Sequence, residues 1–192
     1  MTTMQLLKRL IDLSVCVALV PLAVPISLLA MAVIRLEGEG SPLFVQTRVG
    51  RRQQAFRLYK LRTMRAATGD LPSHMVGGAQ ITRVGAVLRR TKLDELPQLL
   101  NVLNGTMSLV GPRPCLPSQS ELIAEREKRG IFAFAPGITG PAQIEGIDMS
   151  DPARLAQVEA DYFPSASLAS DLAIMTKTVF GAGRGDPAMG GP

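Results

Sequence analysis

The chain has 192 residues, of which 46% are hydrophobic and 4% aromatic, and it carries a formal net charge of +5. This length allows one domain with a core of its own, or a smaller domain with an appendage. The two cysteines, Cys16 and Cys115, lie far apart and indicate no disulfide framework. A single histidine, His74, argues against zinc, so we expect any metal to be a hard ion bound by oxygen.

Positive charge is concentrated in the first part of the chain. Residues 1–113 carry fifteen Lys or Arg against six Asp or Glu, whereas residues 114–192 carry six against ten. A basic surface of this kind suits anionic lipid headgroups, a phosphorylated substrate or nucleic acid. We expect no nucleic acid partner, because aromatic residues are few and none is interleaved with the basic residues to stack on bases.

The first predicted element is an apolar run, residues 13–34, which contains no charged residue. At about 1.5 Å per residue, a helix of this length crosses a bilayer. The run is too long for a good secretory signal, and no small-x-small cleavage site follows it. We therefore expect the protein to stay in a membrane.

The flanks of the apolar run favour a re-entrant form. Lys8 and Arg9 precede it and a larger basic cluster follows it, so the positive-inside rule places both ends in the cytoplasm. Pro21 and Pro25 lie near its middle and interrupt helical hydrogen bonding. Residues 1–35 are thus predicted to form a helix-break-helix that enters and leaves by one leaflet. A proline-kinked helix that spans the membrane is the alternative.

Residues 41–64 predict a β-hairpin. Two β-prone runs, "LFVQTRV" and "AFRLYKLRT", flank a turn at residues 50–54. Alternation along the second run places Arg57 and Lys60 on opposite faces. Residues 66–80 form a Gly-rich segment with little local signal.

The segment "TKLDELPQLLNVLNG", residues 91–105, predicts an amphipathic helix with two carboxylates at its start, Asp94 and Glu95. Either Thr91 or Asp94 is expected as the N-cap, and Gly105 follows the helix. First-turn carboxylates have an ordinary explanation, because they face the positive end of the helix dipole. The alternative is a functional role. The apolar residues recur at i, i+3, i+4 and i+7, namely at Leu96, Leu99, Leu100 and Leu103.

Three further helices are predicted. Ser118 or Ser120 caps a charged helix that ends at Gly130, and Asp151 with Pro152 at the first helical position opens the next. The last helix carries an apolar stripe, expected to pack into the core or else to lie on a membrane surface. The residues of this stripe are Leu168, Leu172, Met175 and Val179.

An ordered set of motifs is more specific than any single element. "KRLID" precedes the apolar run, and "FRLYKLRTM", "ITRVGAVLRRTKLDELPQLLNVLNGTMSLVGPRP", "PGITGPAQIEG" and "SDLAIM" follow in that order. This set strongly resembles the monotopic phosphoglycosyl transferases, the bacterial sugar transferase family. The match runs from about residue 8 to residue 179 and is most specific over residues 82–114. We expect the small form of the family, with the catalytic core alone.

The resemblance and the predicted elements together imply an α+β fold. A mainly helical catalytic domain, residues 36–182, contains a short antiparallel β-hairpin. It is anchored by the re-entrant membrane helix-break-helix of residues 1–35. Residues 183–192 are expected to be a disordered tail, because their composition is rich in Gly and Pro.

The resemblance also implies a reaction. A sugar-1-phosphate passes from a UDP-sugar to a polyprenol phosphate, undecaprenyl phosphate, which releases UMP and initiates bacterial glycoconjugate biosynthesis. Asp94 matches the nucleophile of a phospho-aspartate mechanism, Glu95 matches the second catalytic carboxylate, and both match the Mg²⁺ ligands. The protein is expected on the cytoplasmic face of the inner membrane. A homodimer is left open.

Phosphate-binding residues are implied at Lys60, Arg89, Arg113, Thr139 and Gly140, where the sequence matches family motifs. The chemistry agrees with these residue types, because a carboxylate can attack a diphosphate only if the negative charge is neutralised. Two prolines fix the backbone of Arg113, and its guanidinium suits phosphate. A structural salt bridge from Arg113 to the dyad of Asp94 and Glu95 is the alternative.

Two departures from the family pattern leave the sugar undetermined. Pro141 stands where many members have tryptophan, and Glu159 stands where an aspartate is usual. Two other functions compete with the leading one. The first is a catalytically silent, membrane-tethered module that binds anionic lipid or partner proteins, and the second is plain hydrolysis of the diphosphate.

Overall fold

A computed structural model describes residues 3–38, 40–65, 68 and 80–181. Most of residues 66–80, including His74, and the predicted tail, residues 183–192, lie outside the described residues. The α+β class is confirmed. The helices are α1 Thr3–Glu37, α2 Arg83–Thr91, α3 Leu99–Leu103, α4 Ser120–Lys128, α5 Pro141–Ile144, α6 Pro152–Tyr162 and α7 Leu168–Val179. The strands are β1 Leu43–Val49, β2 Ala55–Leu61, β3 Ser108–Val110 and β4 Gly137–Thr139.

Helix α1 contains the whole apolar run and both of its prolines, Pro21 and Pro25. It is assigned as one helix, so the predicted break is not observed. Among the described helices, α1 is the one long and apolar enough to cross a membrane by length and composition. Its buried residues recur every four or seven positions and so share one face. They are Asp12, Cys16, Ala23, Ala30 and Ile34.

The amino end of α1 is bound to the catalytic domain by two basic residues. Lys8 Nζ donates to Asp171 Oδ2 of α7 at 2.5 Å. The guanidinium of Arg9 donates to the carbonyl oxygens of Val102 at 2.6 Å and of Leu103 at 3.0 Å. Because these carbonyls lie at the carboxyl end of α3, Arg9 also complements the helix dipole there.

Further contacts extend along α1 to its carboxyl end. The buried Asp12 accepts a hydrogen bond from Ser108 Oγ of β3 at 2.8 Å. At the other end, Glu37 Oε1 accepts from the backbone N–H of Val84 in α2 at 3.1 Å. Both ends of the apolar helix therefore contact the same domain.

The predicted β-hairpin is confirmed. Strands β1 and β2 pair antiparallel, with Leu43 opposite Leu61 and the other end closed by a 3₁₀ turn. In β2 the side chain of Leu58 is buried and Lys60, on the same face, is partly buried, whereas Arg57 is exposed. The hairpin thus turns Lys60 toward the interior of the domain.

A parallel pair of strands, β3 and β4, was not predicted. Ser108 lies opposite Gly137 and Val110 lies opposite Thr139. Each strand has three residues, too few for alternation to be recognised. Since parallel strands end at the same edge, the pair brings the Gly-Pro-Arg-Pro segment that begins at Gly111 beside the end of β4.

Two helix predictions need correction. Gln119 precedes α4, so neither Ser118 nor Ser120 is its N-cap, and Ser120 is the first helical residue. In α7, Leu172 and Val179 are 60% and 74% exposed, so core packing is wrong for these two positions. The buried face of α7 carries Asp171 and Ile174 instead. By contrast, α6 begins as predicted, with Asp151 accepting a hydrogen bond from the N–H of Arg154.

The core beneath the dyad is built from several elements. One buried cluster joins Cys16 of α1, Leu58 of β2, Leu99 and Val102 of α3, and Leu109 of β3. This cluster fixes α3, and with it the segment that carries the carboxylates, against the hairpin and the membrane helix.

We predict that Gly137→Ala destabilises the fold. A Cβ at this position would lie 2.0 Å from the backbone nitrogen of Gly111 and 2.5 Å from the carbonyl oxygen of Thr139. Overpacking of this kind costs about 2 kcal/mol or more, measurable as a lower thermal unfolding midpoint in detergent. Gly38→Ala is the control, because a Cβ there meets nothing within 4 Å. A Gly137→Ala protein as stable as the parent would contradict the close packing of β3 on β4.

Candidate active site

The carboxylate dyad lies in a 3₁₀ helix, Leu93–Gln98, between α2 and α3. Lys92 adopts a left-handed conformation, with φ of 60°, and separates this helix from α2. Lys92 is the N-cap of the 3₁₀ helix, so the predicted N-caps, Thr91 and Asp94, are both wrong. Thr91 ends α2, where its hydroxyl donates to the carbonyl of Val87 at 2.9 Å.

Pro97 accounts for the change of helix type. Pro97 has no N–H to donate to the carbonyl of Leu93, and its ring crowds that carbonyl, so a regular α-helix cannot run through this position. Regular α-helix begins at Leu99, beyond the proline. Gly105 follows the helix with φ of +84°, as expected for the residue that ends it.

Asp94 is the buried member of the dyad, with 8% of its surface exposed. Burial and the negative charge of Glu95 raise the pKa of Asp94 to about 7, and the positive charges of Lys60, Arg89 and Lys92 oppose this rise. Within the described residues, no hydrogen bond or ion pair engages its carboxylate. The Asp94 side chain is thus held near several cations but is not paired with any of them.

Lys60 extends from β2 into the same charged region. Burial and the positive charge of Arg48 lower the pKa of Lys60 to about 8, while the negative charge of Asp94 raises it. Arg89 and Arg113 contribute in the same direction as Arg48. The structure therefore brings Lys60 and Arg89 close to Asp94, and it brings Arg113 close to Lys60. With a pKa of about 8, Lys60 is mostly protonated at pH 7.

Arg89 is fixed at the end of α2. Its Nε donates to Thr63 Oγ1 at 2.8 Å, and 7% of its surface is exposed. Close packing makes this possible, because a Cβ on Gly85 would lie 2.1 Å from the carbonyl oxygen of Thr63. The neighbouring Arg90 is exposed. Of the two consecutive arginines, only Arg89 is therefore buried.

Arg113 lies in a segment whose carbonyl groups are all held. No ion pair joins Arg113 to Asp94 or Glu95 among the described residues, so the alternative of a structural salt bridge to the dyad is not formed. Three different donors hold the segment: Gly137 N to Pro112 O at 2.9 Å, Arg126 Nη1 to Arg113 O at 2.8 Å, and Arg48 Nη1 to Pro114 O at 3.1 Å.

Thr139 and Gly140 lie behind this segment. The Thr139 hydroxyl is hydrogen bonded to the hydroxyl of Thr178 at 2.7 Å. A Cβ on Gly140 would lie 2.4 Å from the carbonyl oxygen of Gly111. No described contact joins Thr139 or Gly140 to the carboxylates. Their role in phosphate binding stays a prediction.

Two residues of this region were missed as a pair by sequence reasoning. Arg126 of α4 and Glu159 of α6 form an ion pair with side chains 2% and 0% exposed. Glu159 drew attention only as a departure from the family pattern. The burial of Arg126 could have been predicted from its spacing. It lies four residues after the buried Leu122, on the same face of the helix.

An open, shallow cleft adjoins Arg113. Its walls combine two arginines with apolar and aromatic side chains. They are formed by Val49, Gly50, Pro112, Arg113, Pro114, Arg126, Ile131, Phe132, Phe134 and Pro136.

The donor set of the dyad fits one kind of metal site. The described residues contain no group of three or more His, Cys, Asp or Glu side chains that could hold an ion. Mg²⁺ typically binds one or two carboxylates, substrate phosphates and waters. Adjacent carboxylates at Asp94 and Glu95, with Asp94 unpaired, therefore fit Mg²⁺ held jointly with a bound diphosphate, and they do not form a closed structural site.

The chain is similar to known sugar transferases over almost its whole length. The family model described as bacterial sugar transferase matches residues 3–184. A Caulobacter vibrioides protein named UDP-glucose:undecaprenyl-phosphate glucose-1-phosphate transferase is 40% identical over 185 residues, 91% of this chain and 69% of that protein. The exopolysaccharide production protein PSS of Rhizobium leguminosarum is 38% identical over 189 residues, 90% of this chain and 93% of that protein.

A longer relative is also similar. The UDP-N-acetylgalactosamine-undecaprenyl-phosphate N-acetylgalactosaminephosphotransferase of Aeromonas hydrophila is 34% identical over 183 residues, 90% of this chain and 43% of that protein. The matched segment includes the dyad, the basic residues around it and the Pro-Arg-Pro segment. The chain therefore belongs to the bacterial sugar transferase family, and it is a phosphoglycosyl transferase.

Proposed function

We propose that this protein transfers a sugar-1-phosphate from a UDP-sugar to undecaprenyl phosphate, through a phospho-aspartate at Asp94, and so initiates the assembly of a bacterial glycoconjugate. The observation that carries the proposal is the unpaired, buried carboxylate of Asp94 among the cations Lys60 and Arg89. The names of the Caulobacter and Aeromonas relatives support the substrate classes.

The reaction takes place in two displacements at one phosphorus atom. In the first, a carboxylate oxygen of Asp94 attacks the β-phosphorus of the UDP-sugar. The bond from that phosphorus to the bridging oxygen breaks, and UMP leaves with the electron pair. In the second, a phosphate oxygen of undecaprenyl phosphate attacks the same phosphorus and the Asp94 carboxylate leaves. The products are undecaprenyl diphosphosugar and UMP, and the soluble donor and lipid acceptor need not be bound together.

The charged side chains supply what this chemistry requires. Attack needs ionised Asp94, which Lys60, Arg89 and Lys92 favour by lowering its pKa against the effect of burial. Arg113 offers a planar guanidinium that suits the phosphate oxygens. Mg²⁺ held by Asp94 and Glu95 with the diphosphate would neutralise charge on the phosphates. No observation favours the silent membrane module or plain hydrolysis over this transfer.

We also propose that α1 bends at Pro21 and Pro25 in the membrane, and so enters and leaves it through the cytoplasmic leaflet. The described helix has no break there, and the proposal rests on the contacts at its two ends. A spanning helix has its ends separated by about 30 Å of hydrocarbon, so a domain in water could contact only one of them. Here Lys8 contacts Asp171 and Glu37 contacts Val84, at opposite ends of the helix. Basic residues at both flanks favour the cytoplasmic side. The homodimer stays a prediction.

Loss of the nucleophile should abolish transfer. UMP release is measured with undecaprenyl phosphate, Mg²⁺ and a panel of UDP-sugars that begins with UDP-glucose and UDP-N-acetylgalactosamine. Asp94→Asn should lower turnover by at least about 10³-fold. Without acceptor, the parent should retain radioactivity from a donor labelled at the β-phosphorus, and Asp94→Asn should not.

Asp161→Asn is the matched control, because Asp161 lies exposed on α6 and should leave turnover unchanged. Near-parental activity in Asp94→Asn would rule out the covalent mechanism. UMP release by the parent without lipid acceptor at its full steady rate would favour hydrolysis. No release from any donor would contradict the proposed function.

The burial of Asp94 should make stability depend on pH. The pKa of Asp94 rises from 3.8 to about 7 on folding. Ionisation of Asp94 therefore destabilises the folded state. This destabilisation is absent below about pH 4, where the side chain is protonated in both states, and it reaches its full size above about pH 7. In Mg²⁺-free detergent solution, Asp94→Asn should stabilise the protein more at pH 8 than at pH 5, by on the order of 2 kcal/mol. Chemical unfolding at both pH values measures this, and an equal effect at both would contradict the raised pKa.

The amino terminus is predicted to lie in the cytoplasm. A cysteine introduced as Thr3→Cys should resist a membrane-impermeant maleimide in intact spheroplasts and react once they are permeabilised. The parent chain is the background control, because Cys16 and Cys115 are both 0% exposed. Labelling of Thr3→Cys in intact spheroplasts would mean that α1 spans the membrane, even if the transfer chemistry is retained.

A further inference from the structure

The ion pair between Arg126 and Glu159 lies directly behind the Pro-Arg-Pro segment. Arg126 Nε donates to Glu159 Oε2 at 2.8 Å and Nη2 donates to Oε1 at 2.5 Å. The third nitrogen, Nη1, donates to the carbonyl oxygen of Arg113 at 2.8 Å. One guanidinium therefore joins α6, through Glu159, to the backbone of the arginine that faces the substrate phosphates in the proposed function.

We propose that Glu159 is a positioning residue for phosphoryl transfer: it fixes the orientation of Arg126, and Arg126 sets the direction of the Arg113 side chain by holding the Arg113 carbonyl. This inference rests on the proposed function, because it assigns Glu159 to the same site.

The geometry of the guanidinium gives the physical reason. It is planar, and its donors point in fixed directions. Once Nε and Nη2 are both bound to the carboxylate of Glu159, the direction of Nη1 is determined as well. An arginine bound to Glu159 by only one hydrogen bond could rotate about it, and Nη1 would then have no fixed direction. A lysine at this position would have no planar set of donors at all.

The Arg113 backbone is unusually dependent on such a bond. Pro112 and Pro114 have no N–H groups, so they cannot be held by donating to a neighbour. Their rings restrict φ, and Pro114 also restricts Arg113 itself. The one backbone freedom that remains is the orientation of the peptide group between Arg113 and Pro114. The hydrogen bond from Arg126 to the Arg113 carbonyl oxygen fixes this orientation.

Stability alone is a weak explanation for this pair. Transfer of both charges out of water is costly, and an apolar pair of similar volume often stabilises a fold equally well. Arg126 and Arg113 line the same cleft, so the pair lies next to the arginine that binds phosphate in the proposed function. A charged pair in this position supplies the one property that an apolar pair lacks, a hydrogen-bond donor for Arg113.

A double-mutant cycle tests the inference. The four proteins are the parent, Glu159→Gln, Arg113→Gln and the double variant, each assayed for UMP release with undecaprenyl phosphate and the parent's best UDP-sugar. Misplacement of a phosphate-binding group costs about 10- to 100-fold in rate. We expect Glu159→Gln to lower kcat by that factor in the parent, and by less than about twofold when Arg113 is already replaced. Glu159→Asp, which keeps the charge, should retain more activity than Glu159→Gln.

Glu125→Gln is the matched control. Glu125 pairs with Lys128 and Arg129 on the outer side of α4, so the same chemical change there should leave kcat within about twofold of the parent. Thermal unfolding of each variant shows whether it is folded. If Glu159→Gln does not fold, Glu159→Asp replaces it in the cycle and is expected to show the same dependence on Arg113.

The outcomes separate this inference from the function on which it rests. An equal loss from Glu159→Gln with and without Arg113 would mean that Glu159 acts on the whole fold, and it would overturn the positioning role. Full activity in Glu159→Gln would overturn it as well. If the parent releases no UMP from any donor, the proposed function fails and this inference fails with it.

Discussion

The carboxylate of Asp94 is removed from water beside a second negative charge, that of Glu95, and the nearby cations offset only part of the cost. Each of those cations comes from a different part of the fold. Lys60 extends from the β-hairpin, Arg89 from the last turn of α2, and Lys92 from the left-handed turn that follows it. The hairpin, α2 and the 3₁₀ helix must therefore all be in place before the negative charge is tolerated. In the proposed function, the same cations attract the anionic substrate to Asp94.

Helix α1 is joined to the Pro-Arg-Pro segment by a short path through β3. Asp12 of α1 holds the hydroxyl of Ser108 and also accepts from the backbone N–H of Leu109, at the start of a strand of three residues. That strand leads through Gly111 directly into the Pro-Arg-Pro segment. The position of Arg113 relative to α1 is therefore fixed by a short and well-packed path. In the proposed function, this path would hold Arg113 at a constant depth relative to the lipid phosphate.

The elements predicted correctly are those with long, regular patterns. The hairpin strands alternate over seven residues each, and the apolar run of α1 is longer than a typical core helix.

Features that depend on tertiary contact were missed. Lys92 has positive φ without being glycine, so composition gives no sign of the turn that separates α2 from the dyad. Arg126 and Glu159 are 33 residues apart, and charged residues on helices are expected in water unless a partner is known. Lys60 and Arg89 were found because they occupy recognisable motifs, whereas Lys92 was not, and the electrostatic effect of all three on Asp94 became visible only in three dimensions.

The ion pair between Lys8 and Asp171 joins residues 163 positions apart in the chain. During synthesis from the amino terminus, Lys8 leaves the ribosome long before Asp171 exists. Helix α1 must accordingly bind the membrane through its own apolar surface and basic flank, before the ion pair between Lys8 and Asp171 can form. Helix α7 is made last, and it then packs against the amino end of α1, which is already at the membrane. Translation order thus separates membrane insertion from the completion of the domain. In a chain truncated before α7, the amino end of α1 would lack the Lys8 ion pair and keep only the Arg9 hydrogen bonds to α3.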